Sequence, residues 1–212
     1  MKLINSSLIS AFIIFFSSAC FAESRLQNIL KSGEIRVGTT GDWNPMTFKD
    51  PATNEYKGFE IEIVEELAKD MGVKLVIVPT EWKTLVNGIV SNKYDISTSA
   101  SLSAKRALST GYTDSYFKLA TVPLALKKNL NQFTSWEDIN HKNIKVAVTL
   151  GTTQEQQAKQ LFPKAILNII ESPARDFQEV LSGRSDVHIT SNIEASSLIK
   201  KYPELGIISV KE

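Results

Sequence analysis

One junction recurs five times in this chain and limits what it can fold into. A short β-branched run ends in a small polar cluster, and helical spacing begins just beyond it. The junctions are IRVGTT before Gly41-Asp42-Trp43, KLVIVPT before Glu81-Trp82, DIST before Ser99-Ala100-Ser101, KVAVTL before Gly151-Thr152-Thr153, and VHIT before Ser191-Asn192. Strands alternating with helices build βαβ units around mostly parallel sheets. In such sheets small ligands bind in the crevice beyond the carboxyl ends of the strands. The pattern predicts an α/β protein in which hydroxyls, two indoles and a few charges converge on one crevice.

The clearest helix covers 59–71, with Phe59, Ile63, Val64, Leu67, Ala68 and Met71 at helical spacing and Gly72 as its stop. Others are expected over 82–90, from Thr152 or Thr153 to just before Pro163, and from Asn192 through Ile199. Strands are expected at 35–40, 74–79, 95–98, 121–126, 145–150, 166–171, 187–190 and 206–210. The alternation breaks near Thr121–Leu126, where an extended apolar run follows Tyr116-Phe117 with no helix between. This organisation predicts a first lobe over 23–117, a hinge crossing over 118–126 and a second lobe over 127–206. Residues 207–212 then begin a second crossing, and with nothing after it to return to the first lobe the chain reads as truncated.

Residues 1–22 read as a signal peptide: Lys2, an apolar stretch from Leu8 to Phe16, and Cys20-Phe21-Ala22 before Glu23. A lipoprotein signal acylated at Cys20 is the rival reading. The apolar stretch is too short for a membrane span, which needs roughly 20 residues, so the expected mature chain is exported to the periplasm without a span. Cleavage after Ala22 removes the only cysteine and leaves 23 basic against 23 acidic residues. That neutral balance offers no electrostatic footprint for nucleic acid. His141 and His188, the two histidines, sit in no ligand cluster, so neither a metal nor another cofactor is expected.

Several junction residues admit two readings. Asp42, Trp43 and Trp82 suit a pair of aromatic walls with a carboxylate, although Trp82 also fits the core stripe of its helix. Thr98, Ser99, Ser101 and Arg106 lie in TSASLSAKR. A guanidinium beside hydroxyls and free N–H groups can grip a carboxylate through two parallel hydrogen bonds; otherwise the hydroxyls cap a helix and Arg106 is a solvated charge. Gly151, Thr152, Thr153 and Gln154 stand at a helix start, an anion site or simple capping. No lysine follows that glycine as a phosphate loop requires. Glu194 falls in the first turn after Asn192, where the helix dipole favours a carboxylate whatever its function.

With these segments in view, the chain resembles the family 3 periplasmic solute-binding proteins, the polar amino-acid receptors of ABC importers. The resemblance rests on GFEIEIVEELAKDMG, on SLSAKR and on Gly151-Thr152-Thr153-Gln154. It implies a two-lobed type II periplasmic-binding-protein fold, a small carboxylate-bearing solute held by Thr98, Ser99, Ser101 and Arg106, and an ABC permease as partner. A narrower resemblance, carried by ESRLQNILKSGEIRVGTTGDW, VPTEW and Ile193-Glu194-Ala195, is to the cyclohexadienyl dehydratases of the same fold. It implies Glu194 as general acid. Thr149 stands where those enzymes have asparagine, and Ser191 where both groups have an aspartate that meets an α-amino group. The first departure weakens the enzyme reading, and the second weakens recognition of ordinary α-amino acids.

Overall fold

The structure, a computed structural model, describes residues 23–173 and 175–210. The expected signal peptide over 1–22, with Cys20, and the last two residues lie outside the described residues.

The first lobe opens with α1 (Arg25–Ser32). The Ser24 hydroxyl accepts the Gln27 N–H while the Gln27 side chain accepts that of Ser24, two helix-end donors satisfied at once. Gly33 ends the helix in the left-handed region at φ 72°. The chain continues through β1 (Glu34–Thr39), a small antiparallel sheet of β2 (Asp42–Trp43), β3 (Thr47–Lys49) and β4 (Tyr56–Lys57), then α2 (Phe59–Asp70) and β5 (Lys74–Pro79). β1 and β5 pair in parallel from Glu34↔Lys74 to Thr39↔Pro79. β6 (Ile96–Ser97) lies on the other side of β1. Ile29, Ile35, Val37, Val64 and Ala68 pack between this sheet and the helices.

The helix expected over 82–90 divides into a tight 3-10 turn at Trp82–Thr84 and α3 (Leu85–Val90). The Thr84 hydroxyl holds that turn by donating to the Glu81 carbonyl at 3.2 Å. Trp82 is thereby released from the core stripe. Tyr94 fills the space behind it, wholly buried, and its hydroxyl donates to the Leu85 carbonyl at 2.5 Å. The ring fits only because β1 and α3 each present a glycine. A Cβ would lie 2.5 Å from it at Gly38 and 2.1 Å at Gly88.

After α4 (Ala104–Ala107) comes the segment expected to cross between the lobes, 118–126. Its end, β7 (Thr121–Leu126), is a strand of the second sheet. Beyond it come α5 (Trp136–Ile139), β8 (Lys145–Thr149), α6 (Thr153–Leu161), β9 (Ile166–Ile170), α7 (Asp176–Leu181), β10 (Val187–Ser191), α8 (Asn192–Lys201) and β11 (Leu205–Ile207). The strands stand in the order β11-β7-β10-β8-β9, with β7 antiparallel to both neighbours and β8, β9 and β10 parallel. Alternation along β7 sends Leu124 to the side of Phe177, Val180, Ala195 and Leu198, and Ala125 to the side of Val148, Ala158 and Phe162. β10 lies between β7 and β8 with apolar clusters on both faces, and all five of its residues are buried. Any polar residue on it must find its partners inside the protein.

Gly88→Ala tests the fit of Tyr94. In an open helix this change stabilises by about 1 kcal/mol. Here the overpacking should outweigh that gain and destabilise by about 1–3 kcal/mol, read as a lower urea midpoint.

Candidate functional site

The carboxyl ends of β1, β8 and β10, together with the segments after β5 and β6, face one another across a cleft. The space they enclose is ≈520 Å³ with its open mouth included. Eleven of the thirteen residues singled out from sequence line it: Asp42, Trp43, Trp82, Ser99, Ser101, Arg106, Thr149, Thr152, Thr153, Gln154 and Glu194. Thr98 and Ser191 are not among its walls. Thr98 is buried behind the cleft, and its hydroxyl lies 3.5 Å from that of Ser99. Ser191, rather than Asn192, caps α8 by accepting the Glu194 N–H at 3.3 Å, which commits its oxygen to the helix.

The aromatic wall comes from the first lobe. Trp43 and Trp82 meet edge to face, ring centres 5.9 Å apart at 78°. The Trp82 indole N–H donates to Asp42 Oδ1 at 2.9 Å, and Ser172 from the second lobe donates to Oδ2 at 3.2 Å. Asp42 therefore fixes an indole and ties the lobes together. Lys83 pairs with Glu171 across the same seam.

Arg106 lies on α4, whose first turn is capped by the Ser103 hydroxyl. Its side chain reaches the cleft and is buried at 7% exposure, so the solvated-charge reading fails. One guanidinium nitrogen donates to the Ser101 carbonyl at 3.1 Å and the other to the Gly151 carbonyl of the opposite lobe at 3.0 Å. No carboxylate pairs with it among the described residues. Burial lowers the pKa of Arg106; a guanidinium nevertheless stays charged in a protein, leaving a desolvated positive charge in the cleft with only neutral acceptors around it.

Facing Arg106, the start of α6 shows the capping anticipated for it. Thr152 caps the helix, accepting the Glu155 N–H at 3.1 Å, and Glu155 reaches back to the Gly151 N–H at 2.7 Å. The Thr153 and Gln154 N–H groups belong to the first turn, which has no intrahelical acceptors, and both residues line the cleft.

The second-lobe wall contains a cluster that the sequence reading missed, the ionisable Arg175, Asp176 and His188 with the hydroxyl of Thr190. Arg175 donates to Glu194 Oε1 at 2.8 Å, and Thr190 donates to the other carboxylate oxygen. His188 Nδ1 lies 3.4 Å from Asp176 Oδ2, a charge contact rather than a well-aligned hydrogen bond. Both partners are buried. Their mutual attraction raises the imidazole pKa and lowers that of Asp176, against burial, which acts the other way on each. Glu194 is pushed up, chiefly by burial, although His188 and Arg175 pull it down. Two signals pointed here. One is a histidine inside the β-branched run VHIT. The other is S-x-x-E from Ser191 to Glu194, which reads as a capping box but whose glutamate turns into the cleft instead. Among the described residues no group of three or more His, Cys, Asp or Glu side chains is placed to hold a metal ion, and no helix is long and apolar enough to cross a membrane.

Two α/β lobes around a polar cleft with an aromatic wall and a buried arginine, unpaired among the described residues, define a small-solute-binding protein of the type II periplasmic kind. The chain belongs to the bacterial extracellular solute-binding proteins, family 3, whose model matches residues 35–194. It is 32% identical over 184 residues to the cyclohexadienyl dehydratase of Pseudomonas aeruginosa, spanning 86% of this chain and 68% of that one. It is 26% identical to the L-cystine-binding protein of Escherichia coli, over 90% of this chain and 71% of that one. The crystal structure of an ancestral amino-acid-binding protein, a precursor of cyclohexadienyl dehydratase, superposes with a TM-score of 0.82 at 37% identity, covering 87% of this chain and 81% of that one. An ancestral arginine-binding protein bound to arginine superposes at 0.77 with 29% identity, over 83% and 78% of the two chains.

The buried pair makes stability depend on pH with a definite sign. His188 is raised above its ordinary 6.5, so its contribution is complete below that value and is lost as pH rises through the folded pKa. Asp176 is lowered from 3.8, so its contribution is complete above that value and is lost as pH falls through the folded one. Glu194, raised from 4.5, adds to the loss on the alkaline side. Urea midpoints should peak between those limits and fall toward alkaline pH. Asp176→Asn should flatten the alkaline fall.

Proposed function

We propose that this chain is an exported receptor that captures a small carboxylate-bearing, amino-acid-like solute between its lobes and delivers it to an ABC permease. The observation that carries the reading is Arg106. A buried guanidinium without an ionic partner among the described residues is costly unless an anion completes it. Ser101 and the open N–H groups at the start of α6 stand beside it, and Trp43 and Trp82 offer faces for the rest of the solute. Relatives named for binding amino acids, L-cystine and arginine support the solute class. The leader-like residues 1–22 support export to the periplasm, with acylation at Cys20 as the rival form of that leader. Lobe closure around a solute is a hinge motion that a permease can read.

A second reading has one observation in its favour. Glu194 is a buried carboxyl in the cleft wall with a raised pKa, the property that a general acid needs to protonate a leaving hydroxyl. In a dehydratase it would take that part, with Arg106 holding the substrate carboxylate. Against this, Arg175 already pairs with Glu194 at 2.8 Å and favours its charged form. The receptor reading is therefore preferred.

Calorimetry against amino acids and organic acids tests the receptor. Arg106→Gln should weaken binding by about 100-fold, the loss of two charge-assisted hydrogen bonds. A folded wild-type protein that binds none of the panel at millimolar concentration refutes the reading. For the enzyme, prephenate is followed by the ultraviolet absorbance of phenylpyruvate against a no-protein control. The preferred reading expects no turnover. Turnover abolished by Glu194→Gln would establish the dehydratase instead.

A further inference from the structure

We propose that the cleft continues past Thr153 and Gln154 into a second compartment along α6, which takes an uncharged, hydroxyl-rich tail of the solute. The proposal deepens the receptor reading and rests on it.

The compartment lies between the segment that leads into α4, one face of α6 and the start of β7. Its space is ≈1060 Å³ with its open mouth included, against ≈520 Å³ for the main cleft. Trp43, Ser101, Thr153 and Gln154 line both, so the two are continuous. A solute whose carboxylate meets Arg106 can therefore pass a substituent over these four residues and out along the helix.

The face of α6 decides what that substituent is. Gln154, Gln156, Gln157 and Gln160 all line the compartment. At 1.5 Å per residue the row extends for about 9 Å along the helix axis. The charged side chains of α6 are spent on each other: Lys159 pairs with Glu155 at 2.5 Å, and Glu155 also accepts the Gly151 N–H. Lys105 is the one charged residue in the lining among the described residues. It is exposed, where a charge pairs weakly.

A row of amides has its own chemistry. Each carries two N–H donors and an acceptor oxygen with no net charge. Two of the oxygens are engaged. The Thr121 hydroxyl donates to Gln157 Oε1 at 2.9 Å, and the Thr153 hydroxyl donates to Gln154 Oε1 at 3.2 Å. Hydrogen accounting leaves the N–H groups of these two to meet an acceptor. A hydroxyl both donates and accepts, so a tail with several hydroxyls can answer every amide in the row. An apolar tail would strip water from the amides and return no hydrogen bond. An ammonium tail would find no anion in the lining. The Trp43 ring at the entry offers an apolar surface to the C–H groups of a sugar-like tail.

Calorimetry with matched solutes tests this: L-serine against O-β-D-glucosyl-L-serine, and L-asparagine against its side-chain N-glucosyl derivative. O-benzyl-L-serine and O-phospho-L-serine supply an apolar and a charged tail. In at least one pair the glucosyl member should bind about tenfold tighter than its parent, the worth of one or two neutral hydrogen bonds. The benzyl and phospho tails should gain nothing. Gln156→Leu with Gln160→Leu removes two amides with residues that suit a helix. It should bring the glucosyl gain toward one and leave the affinity for the parents unchanged. An undiminished gain in that variant, folded by circular dichroism, overturns the proposal, and so does an equal gain from the benzyl or phospho tail. Should the double variant fail to fold, Gln160→Leu alone, at the exposed end of the row, decides. Glucosyl members that bind no tighter than their parents overturn this proposal and leave the receptor standing. Binding of none of these solutes also overturns it, and the receptor falls with it only if the wider panel fails too.

Discussion

Everything in the cleft is arranged around a guanidinium that has been taken out of water without an ionic partner among the described residues. Arg106 donates to two carbonyl oxygens, one from Ser101 in its own lobe and one from Gly151 in the other. Carbonyl dipoles offset part of the desolvation cost and leave the charge uncompensated. The start of α6 adds a partial positive charge beside it. Because one of the two carbonyls belongs to the opposite lobe, separating the lobes strips Arg106 of half its acceptors.

The two lobes supply different chemistry for topological reasons. The first contributes an aromatic wall and Asp42 from the irregular segments after β1 and β5, where side chains can turn freely toward solvent or solute. The second contributes charge from β10, a central strand with no exposed position. A histidine on such a strand must be compensated within the fold. Asp176 on α7 does this for His188, and Arg175 just before that helix does it for Glu194. The result is a wall that holds several charges, each with a partner of opposite sign beside it.

The alternation of strands and helices was legible because period-two and helical spacing differ sharply along this chain. The convergence of the junction hydroxyls followed from that topology. Less visible was which way each side chain turns at a strand end. Thr98 and Ser191 sit in the same kinds of junction as Ser99 and Thr152, yet one turns behind the cleft and the other spends its oxygen on a helix cap. Asp176 looked like an ordinary acidic residue at a helix start, and His188 like a strand residue between two β-branched neighbours. Their pairing spans α7 and β10 and depends on a register that local sequence does not encode. The place of Val122 to Leu126 between β10 and β11 depends on long-range pairing in the same way, since an apolar run reads alike wherever it pairs.

Gly151 has a consequence for how far the lobes approach. A Cβ placed there would fall 2.4 Å from the Lys83 Cα and 2.8 Å from the Trp82 carbonyl carbon. Main chain rests on main chain at that point, with no side chain between to act as a cushion. The closed spacing is thus a hard stop set by covalent geometry rather than by compressible packing. A solute that needs even a methyl group's extra width on that side would hold the molecule ajar, so the jaw itself gauges size before any polar group is consulted.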